Sequence, residues 1–73
     1  MAVNVKLIPV ESSTASHVGY DESTREMTVV YHGGNTYQYF GISKAEYDSL
    51  FVEGISVGKQ LKTIIKGKTY NKL

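Results

Sequence analysis

The apolar pattern of this chain changes period once, between Phe40 and Ser43, and that change limits the fold more than any other feature. Before it, Met27, Val29 and Tyr31 alternate with Thr28, Val30 and His32, the two-residue period of a half-buried strand. After it, Tyr47, Leu50 and Phe51 recur at three- and four-residue spacing, as do Val57, Leu61, Ile64 and Ile65, the period of amphipathic helices. Strands gathered first and helices gathered second predict an α+β fold: a small antiparallel meander of three to four strands, with two C-terminal helices packed on one sheet face.

Turn and cap chemistry divides the chain further. Residues 1–11 read as an N-terminal edge strand or arm, with Val3, Val5 and Leu7 alternating and Pro9 removing a backbone donor. Residues 12–41 form the meander. Its first turn is Asp21-Glu22-Ser23-Thr24, whose short polar side chains bond their own backbone, and its second is Gly33-Gly34. Two glycines suit a two-residue hairpin loop, where both central positions need positive φ. Residues 43–67 hold the helices. Ser43-Lys44-Ala45-Glu46 is a capping box, with Ile42 and Tyr47 as its hydrophobic staple, and Gly54 stands where a C-cap belongs. Ser56 caps the second helix and Gly67 ends it. Residues 68–73 are left as a basic tail, and the whole of 1–73 is one domain.

Seventy-three residues without a cysteine must be stabilised by core packing, a ligand or self-association, since no disulfide or thiolate metal site is possible. A composition 41% hydrophobic and 21% charged argues against disorder. No apolar run reaches membrane-spanning length, and Met1–Lys6 has no signal-peptide core, so a cytoplasmic, membrane-free location is expected. The net charge of +1 is unevenly spread: residues 1–57 carry −4 and residues 58–73 carry +5, all from lysines. Such asymmetry points to an anionic partner, although lysines also complement the C-terminal end of a helix dipole.

Two groups of residues have ligand-binding character. Ser56-Val57-Gly58-Lys59 combines unpaired helix N-terminal N–H groups, a cap hydroxyl, a glycine that permits close approach and a lysine, a set suited to phosphate. Lys62 and Lys66 continue the Lys59 face. The same four residues also suit a plain helix cap with a packing glycine; convergence with Ser12 and Ser13 would favour the phosphate. The second group is Tyr37 and Tyr39. A two-residue Gly33-Gly34 loop pairs Val30 with Tyr37 and places both tyrosines on the face of Thr28, open for stacking on nucleotide bases. A register shifted by one residue would turn them into the core. His17 and His32 lie on different strands with no cysteine and scattered carboxylates, so no metal site is expected. No paired carboxylates or nucleophile-elbow context reads as catalytic machinery.

In order and spacing, these motifs resemble the KTSC domain, a short module found at the C-terminus of some lysyl-tRNA synthetases and as stand-alone bacterial or phage proteins. The resemblance runs over about residues 10–70. It is carried by Ser12-Ser13, Gly19-Tyr20-Asp21, the strand Met27 to Tyr31, Gly33-Gly34, Tyr37-Gln38-Tyr39, Ser56-Val57-Gly58, Ile65 and Tyr70. The fusion to a synthetase implies RNA binding. Positions after Gly58 are often aromatic in the family, whereas here they are Lys59-Gln60-Leu61, which makes this copy's helix more basic.

The expected function is a non-enzymatic, cofactor-free module. It would bind a nucleotide-containing anion, either RNA or single-stranded nucleic acid or a small phosphorylated nucleotide. The ligand residues would be Ser12, Ser13, Ser56, Gly58, Lys59, Lys62 and Lys66, with Tyr37 and Tyr39 stacking. The alternative is a small phage-type interaction module that inhibits or sequesters a host protein. Burial of an open aromatic sheet face would also favour a homo-oligomer.

Overall fold

In the computed structural model, residues 6–73 are described. Val3 and Val5 of the expected first strand lie outside them. The elements are β1 (Ile8–Pro9), β2 (Ala15–Asp21), β3 (Glu26–Tyr31), β4 (Thr36–Tyr39), α1 (Lys44–Asp48), a 3-10 turn (Ser49–Phe51), α2 (Val57–Ile65) and β5 (Tyr70–Lys72). The architecture is α+β, with one five-stranded antiparallel sheet in the order β1-β2-β3-β4-β5. The meander over residues 12–41 is present as β2, β3 and β4. The fifth strand replaces the expected basic tail. Three residues are too few to show a period, and five lysines in sixteen residues mask the strand preference of Thr69 and Tyr70.

The β3–β4 hairpin departs from the expected register. Gly34 N–H donates to the Tyr31 carbonyl at 3.1 Å, and Tyr31 N–H donates to the Asn35 carbonyl at 2.8 Å. The loop therefore holds His32, Gly33 and Gly34, with φ of 99° at Gly33, a value that favours glycine. One extra loop residue pairs Val29 with Tyr37 and Met27 with Tyr39. Tyr37 and Tyr39 thus stand on the Met27 face, opposite to the two-residue expectation. A Gly-Gly pair serves either loop, so composition did not fix the length.

That face carries the core. Val18, Met27, Val29 and Tyr39 belong to one buried cluster with Ile42, Leu50, Leu61 and Ile64 of the C-terminal half. Val57 and Ile65 are partly buried against it. Tyr20 stacks on Tyr47 at 4.9 Å between ring centres and donates its hydroxyl to the Ile42 carbonyl at 2.6 Å. Tyr47, Leu50 and Phe51 do not form one buried stripe: Leu50 is buried and Phe51 is exposed. The helix tightens from Ser49 onward, and three residues per turn rotate Phe51 outward. No helix among the described residues is long and apolar enough to cross a membrane.

The capping box is complete. Ser43 Oγ accepts from Glu46 N–H at 3.1 Å, and Glu46 Oε1 accepts from Ser43 N–H at 2.9 Å. Lys68 Nζ lies 3.5 Å from the other Glu46 oxygen, which ties α1 to the segment entering β5. The Ser43 N–H, with Lys68 adding to it, holds the Glu46 carboxyl below its ordinary value.

Ser43→Ala is expected to cost roughly 0.5–2 kcal/mol, read as a lower denaturation midpoint. Glu46→Gln tests the depressed carboxyl. A carboxylate with a lowered native pKa stabilises the fold above its ordinary titration range, and the contribution is lost as pH falls through the native value. The variant should be less stable than wild type at pH 7, with the difference shrinking as pH falls below the ordinary glutamate value of 4.5 and vanishing only below the lowered native value.

Candidate functional site

Two segments distant in sequence meet at one end of the sheet. The Ser12–Thr14 turn enters β2, and the Ser56–Lys59 turn opens α2. Between them lies an open pocket of about 410 Å³, lined by Glu11 through Thr14 on one side and Ile55 through Lys59 with Lys62 on the other.

The first wall is held by its own hydrogen bonds. Ser12 Oγ accepts from Thr14 N–H at 3.0 Å and more weakly from Ala15 N–H at 3.4 Å. His32, from the β3–β4 loop, donates its Nε2–H to the Ser12 carbonyl at 2.7 Å, and its backbone N–H donates to the Thr14 carbonyl at 3.3 Å. The hairpin loop thereby clamps the Ser12–Thr14 turn from outside. A carbonyl can only accept, so this contact places the imidazole proton on Nε2.

The second wall is the first turn of α2. Gln60 N–H is the first to reach an i−4 carbonyl, that of Ser56, at 2.9 Å. The N–H groups of Val57 and Gly58 precede it and have no intrahelical acceptor. Ser56 Oγ reaches Lys59 N–H only at 3.5 Å, a weak cap. Gly58 sets how closely the walls approach: a Cβ built on it would lie 2.6 Å from Thr14 Oγ1, 3.3 Å from Thr14 Cβ and 3.5 Å from Ser12 Oγ. Gly58 is needed here for proximity.

Six of the residues singled out in the sequence meet at this pocket: Ser12, Ser13, Ser56, Gly58, Lys59 and Lys62. Lys66 does not. It is the exposed C-cap of α2, at the far end of the helix from the pocket. Tyr37 and Tyr39 do not line it either. Tyr39 is 5% exposed and shares a 2.6 Å hydroxyl contact with Tyr31, and burial with that contact raises its phenol well above the ordinary value. Tyr37 is half-buried among the rings of Tyr31, Tyr39 and Tyr70, at 5.5, 6.2 and 5.7 Å. These rings pack on one another on the Met27 face, so Tyr37 and Tyr39 do not form the open stacking pair expected from a two-residue loop.

Glu11 and Thr14 are not among the site residues expected from the sequence, and His32 is weighed there only as a metal ligand. Thr14 and His32 act through contacts between distant segments, and Glu11 stands beyond Pro9 at the end of the expected edge strand.

A family model of the KTSC domain matches residues 11–70. This chain belongs to the KTSC domain family. The crystal structure of a KTSC domain protein from Yersinia pestis superimposes with a TM-score of 0.83 at 28% identity, covering 94% of this chain and 97% of that one. A search of curated proteins finds no significant match. The family match begins at Glu11, so it takes in both walls of the pocket.

Gly58→Ala separates proximity from helix preference. Alanine favours the helix by up to about 1 kcal/mol, while forcing a methyl against Thr14 costs about 1–3 kcal/mol. A net loss of about 1 kcal/mol is expected in chemical denaturation, with much of it recovered when Thr14→Ala removes the opposing hydroxyl and methyl. A net gain in stability for Gly58→Ala alone would show that the two walls are not in contact.

Proposed function

We propose that this KTSC domain is a non-enzymatic binding module whose pocket holds a phosphorylated ligand of the nucleotide class. The observation that carries the reading is the convergence of Ser12 and Ser13 with Ser56, Lys59 and Lys62 around one opening. Serine hydroxyls and helix N-terminal N–H groups donate to phosphate oxygens, and lysines supply the charge. Lys59 stands in the first turn of α2, where a positive charge opposes the helix dipole, and a bound anion offsets that conflict. Glu11 reduces the local positive charge and can accept from a sugar hydroxyl or a base amine.

Pocket size and the fate of the tyrosines favour a small ligand over a long strand. About 410 Å³ lies within the ordinary range for small-molecule sites. A long single strand needs a chain of exposed stacking aromatics, and the Tyr39 ring is buried. The reading is therefore a mononucleotide, a short phosphorylated nucleotide, or the terminal nucleotide of an RNA.

The test is calorimetric titration of a panel of mono-, di- and cyclic nucleotides and short RNA oligomers at several salt concentrations. Lys59→Gln and Lys62→Gln are each expected to weaken binding about tenfold or more, the usual scale for a charge-assisted contact, and to flatten the salt dependence. Lys66→Gln should leave affinity nearly unchanged, because Lys66 lies outside the pocket. Absence of wild-type binding to every member of the panel at low salt, or an equal loss from Lys66→Gln, would overturn the reading.

A further inference from the structure

The two edges of the sheet are unequal. At the β1 edge, Val10 N–H donates inward to the Ser16 carbonyl at 3.0 Å, so by strand alternation Pro9 faces outward where a donor would stand. That edge is short and blunted by proline, a usual protection against further pairing. The β5 edge has no proline and no bulge. Phe40 N–H donates to the Thr69 carbonyl at 2.9 Å, and Leu73 N–H donates to the Thr36 carbonyl at 2.8 Å. Alternation from those two bonds turns the backbone groups of Thr69, Asn71 and Leu73 toward β4, and those of Tyr70 and Lys72 away from the sheet. Among the described residues nothing pairs with this outer edge.

We propose that β5 is a self-association edge, pairing antiparallel with β5 of a second copy of this chain across a twofold axis at Asn71. In that register Tyr70 lies opposite the partner's Lys72. These are the two residues whose N–H and C=O groups point outward, so each Tyr70–Lys72 pair closes two backbone hydrogen bonds, and the axis generates the pair twice. The side chains agree with the backbone. Residues directly opposite share a face, which sets the lysine ammonium of one copy beside the Tyr70 ring of the other, a cation–π contact. Tyr70 is 58% exposed and packs its ring 5.7 Å from Tyr37 and 6.0 Å from Tyr39, so the lysine would meet an aromatic cluster. A register centred on Lys72 would instead set two like charges opposite each other, which is unfavourable. The hydrogen-bond phase admits registers centred on Tyr70, Asn71 or Lys72 alike, and the Tyr70–Lys72 side-chain pairing selects the one centred on Asn71. The result is one continuous sheet with the five-stranded order doubled about β5.

Three exposed residues make a small interface, so the association belongs to the weak, concentration-dependent class. Sedimentation equilibrium over roughly 10–500 μM should show the 8.1 kDa chain approaching twice its mass at the upper end. Lys72→Pro removes one outward donor and leaves the inward pairing, so it should remain monomeric with an unchanged circular dichroism spectrum. A second test is independent of that variant. The chain has no cysteine, so one introduced thiol reports one distance. Across the axis the two Asn71 Cα atoms form a non-hydrogen-bonded pair about 4.5 Å apart, within disulfide range, whereas the two Lys72 Cα atoms are diagonal and roughly 7–8 Å apart or more, beyond it. In a glutathione redox buffer, Asn71→Cys should give covalent dimer and Lys72→Cys should not. Wild-type protein that stays at 8.1 kDa throughout, or equal cross-linking at positions 71 and 72, would overturn the proposal.

Discussion

The pair of hydrogen bonds that closes the His32-Gly33-Gly34 loop sets the identity of the two sheet faces, and the rest of the domain follows from it. Because side chains alternate strictly along a strand, one residue more or less in this loop exchanges the whole inward and outward sets of β4. With three loop residues, Tyr39 falls opposite Met27 and is buried in the core. β5 takes its register from β4, so Tyr70 opposite Tyr39 inherits the same face. The four linked tyrosines 31, 37, 39 and 70 are therefore a consequence of one turn. With a two-residue loop, the Met27 face would receive Thr36 and Gln38, whose polar groups would enter the core without partners.

What the sequence could reveal depended on how local each interaction was. The capping box at Ser43 and Glu46, the Asp21–Ser23 turn and the start of α2 after Ser56 are held by groups two or three residues apart, and the residue types disclose them. The period change at Ile42 likewise separated strands from helices, because apolar spacing is read directly from the chain. The hairpin register was not legible, since Gly33-Gly34 is compatible with loops of two or three residues. β5 was not legible because its three residues pair with Tyr37 to Tyr39, more than thirty positions away, and have no period of their own. The exposure of Phe51 depended on a local tightening of the helix, which apolar spacing does not record.

The candidate site divides along the same line. Ser56, Gly58, Lys59 and Lys62 belong to one helical turn and its successor, and their chemistry was apparent from spacing. That Ser12 and Ser13 face them depends on Gly58 approaching Thr14, a contact over forty residues of chain. The contribution of His32 depends on the hairpin loop reaching back to the start of β2. Lys66 shows the opposite error: its helical spacing from Lys59 and Lys62 is sound, but a stripe along a helix is longer than a pocket at one end of it.

The pocket and the hairpin loop are mechanically joined. His32 sits in the loop that fixes the sheet register, and its ring and backbone N–H both hold the Ser12–Thr14 wall. Gly58 presses α2 against the same wall, while Leu61, one turn on, is anchored in the buried core. A change of loop length would therefore move His32, release the Ser12 carbonyl and loosen the first wall before it disturbed α2. Conversely, a ligand bridging Ser12 or Ser13 to the Ser56–Lys59 turn would connect the two walls directly and add to the contact made at Gly58. Ligand binding of this kind stabilises the folded chain by mass action, and in a domain of 73 residues without a disulfide that contribution is a substantial share of the total.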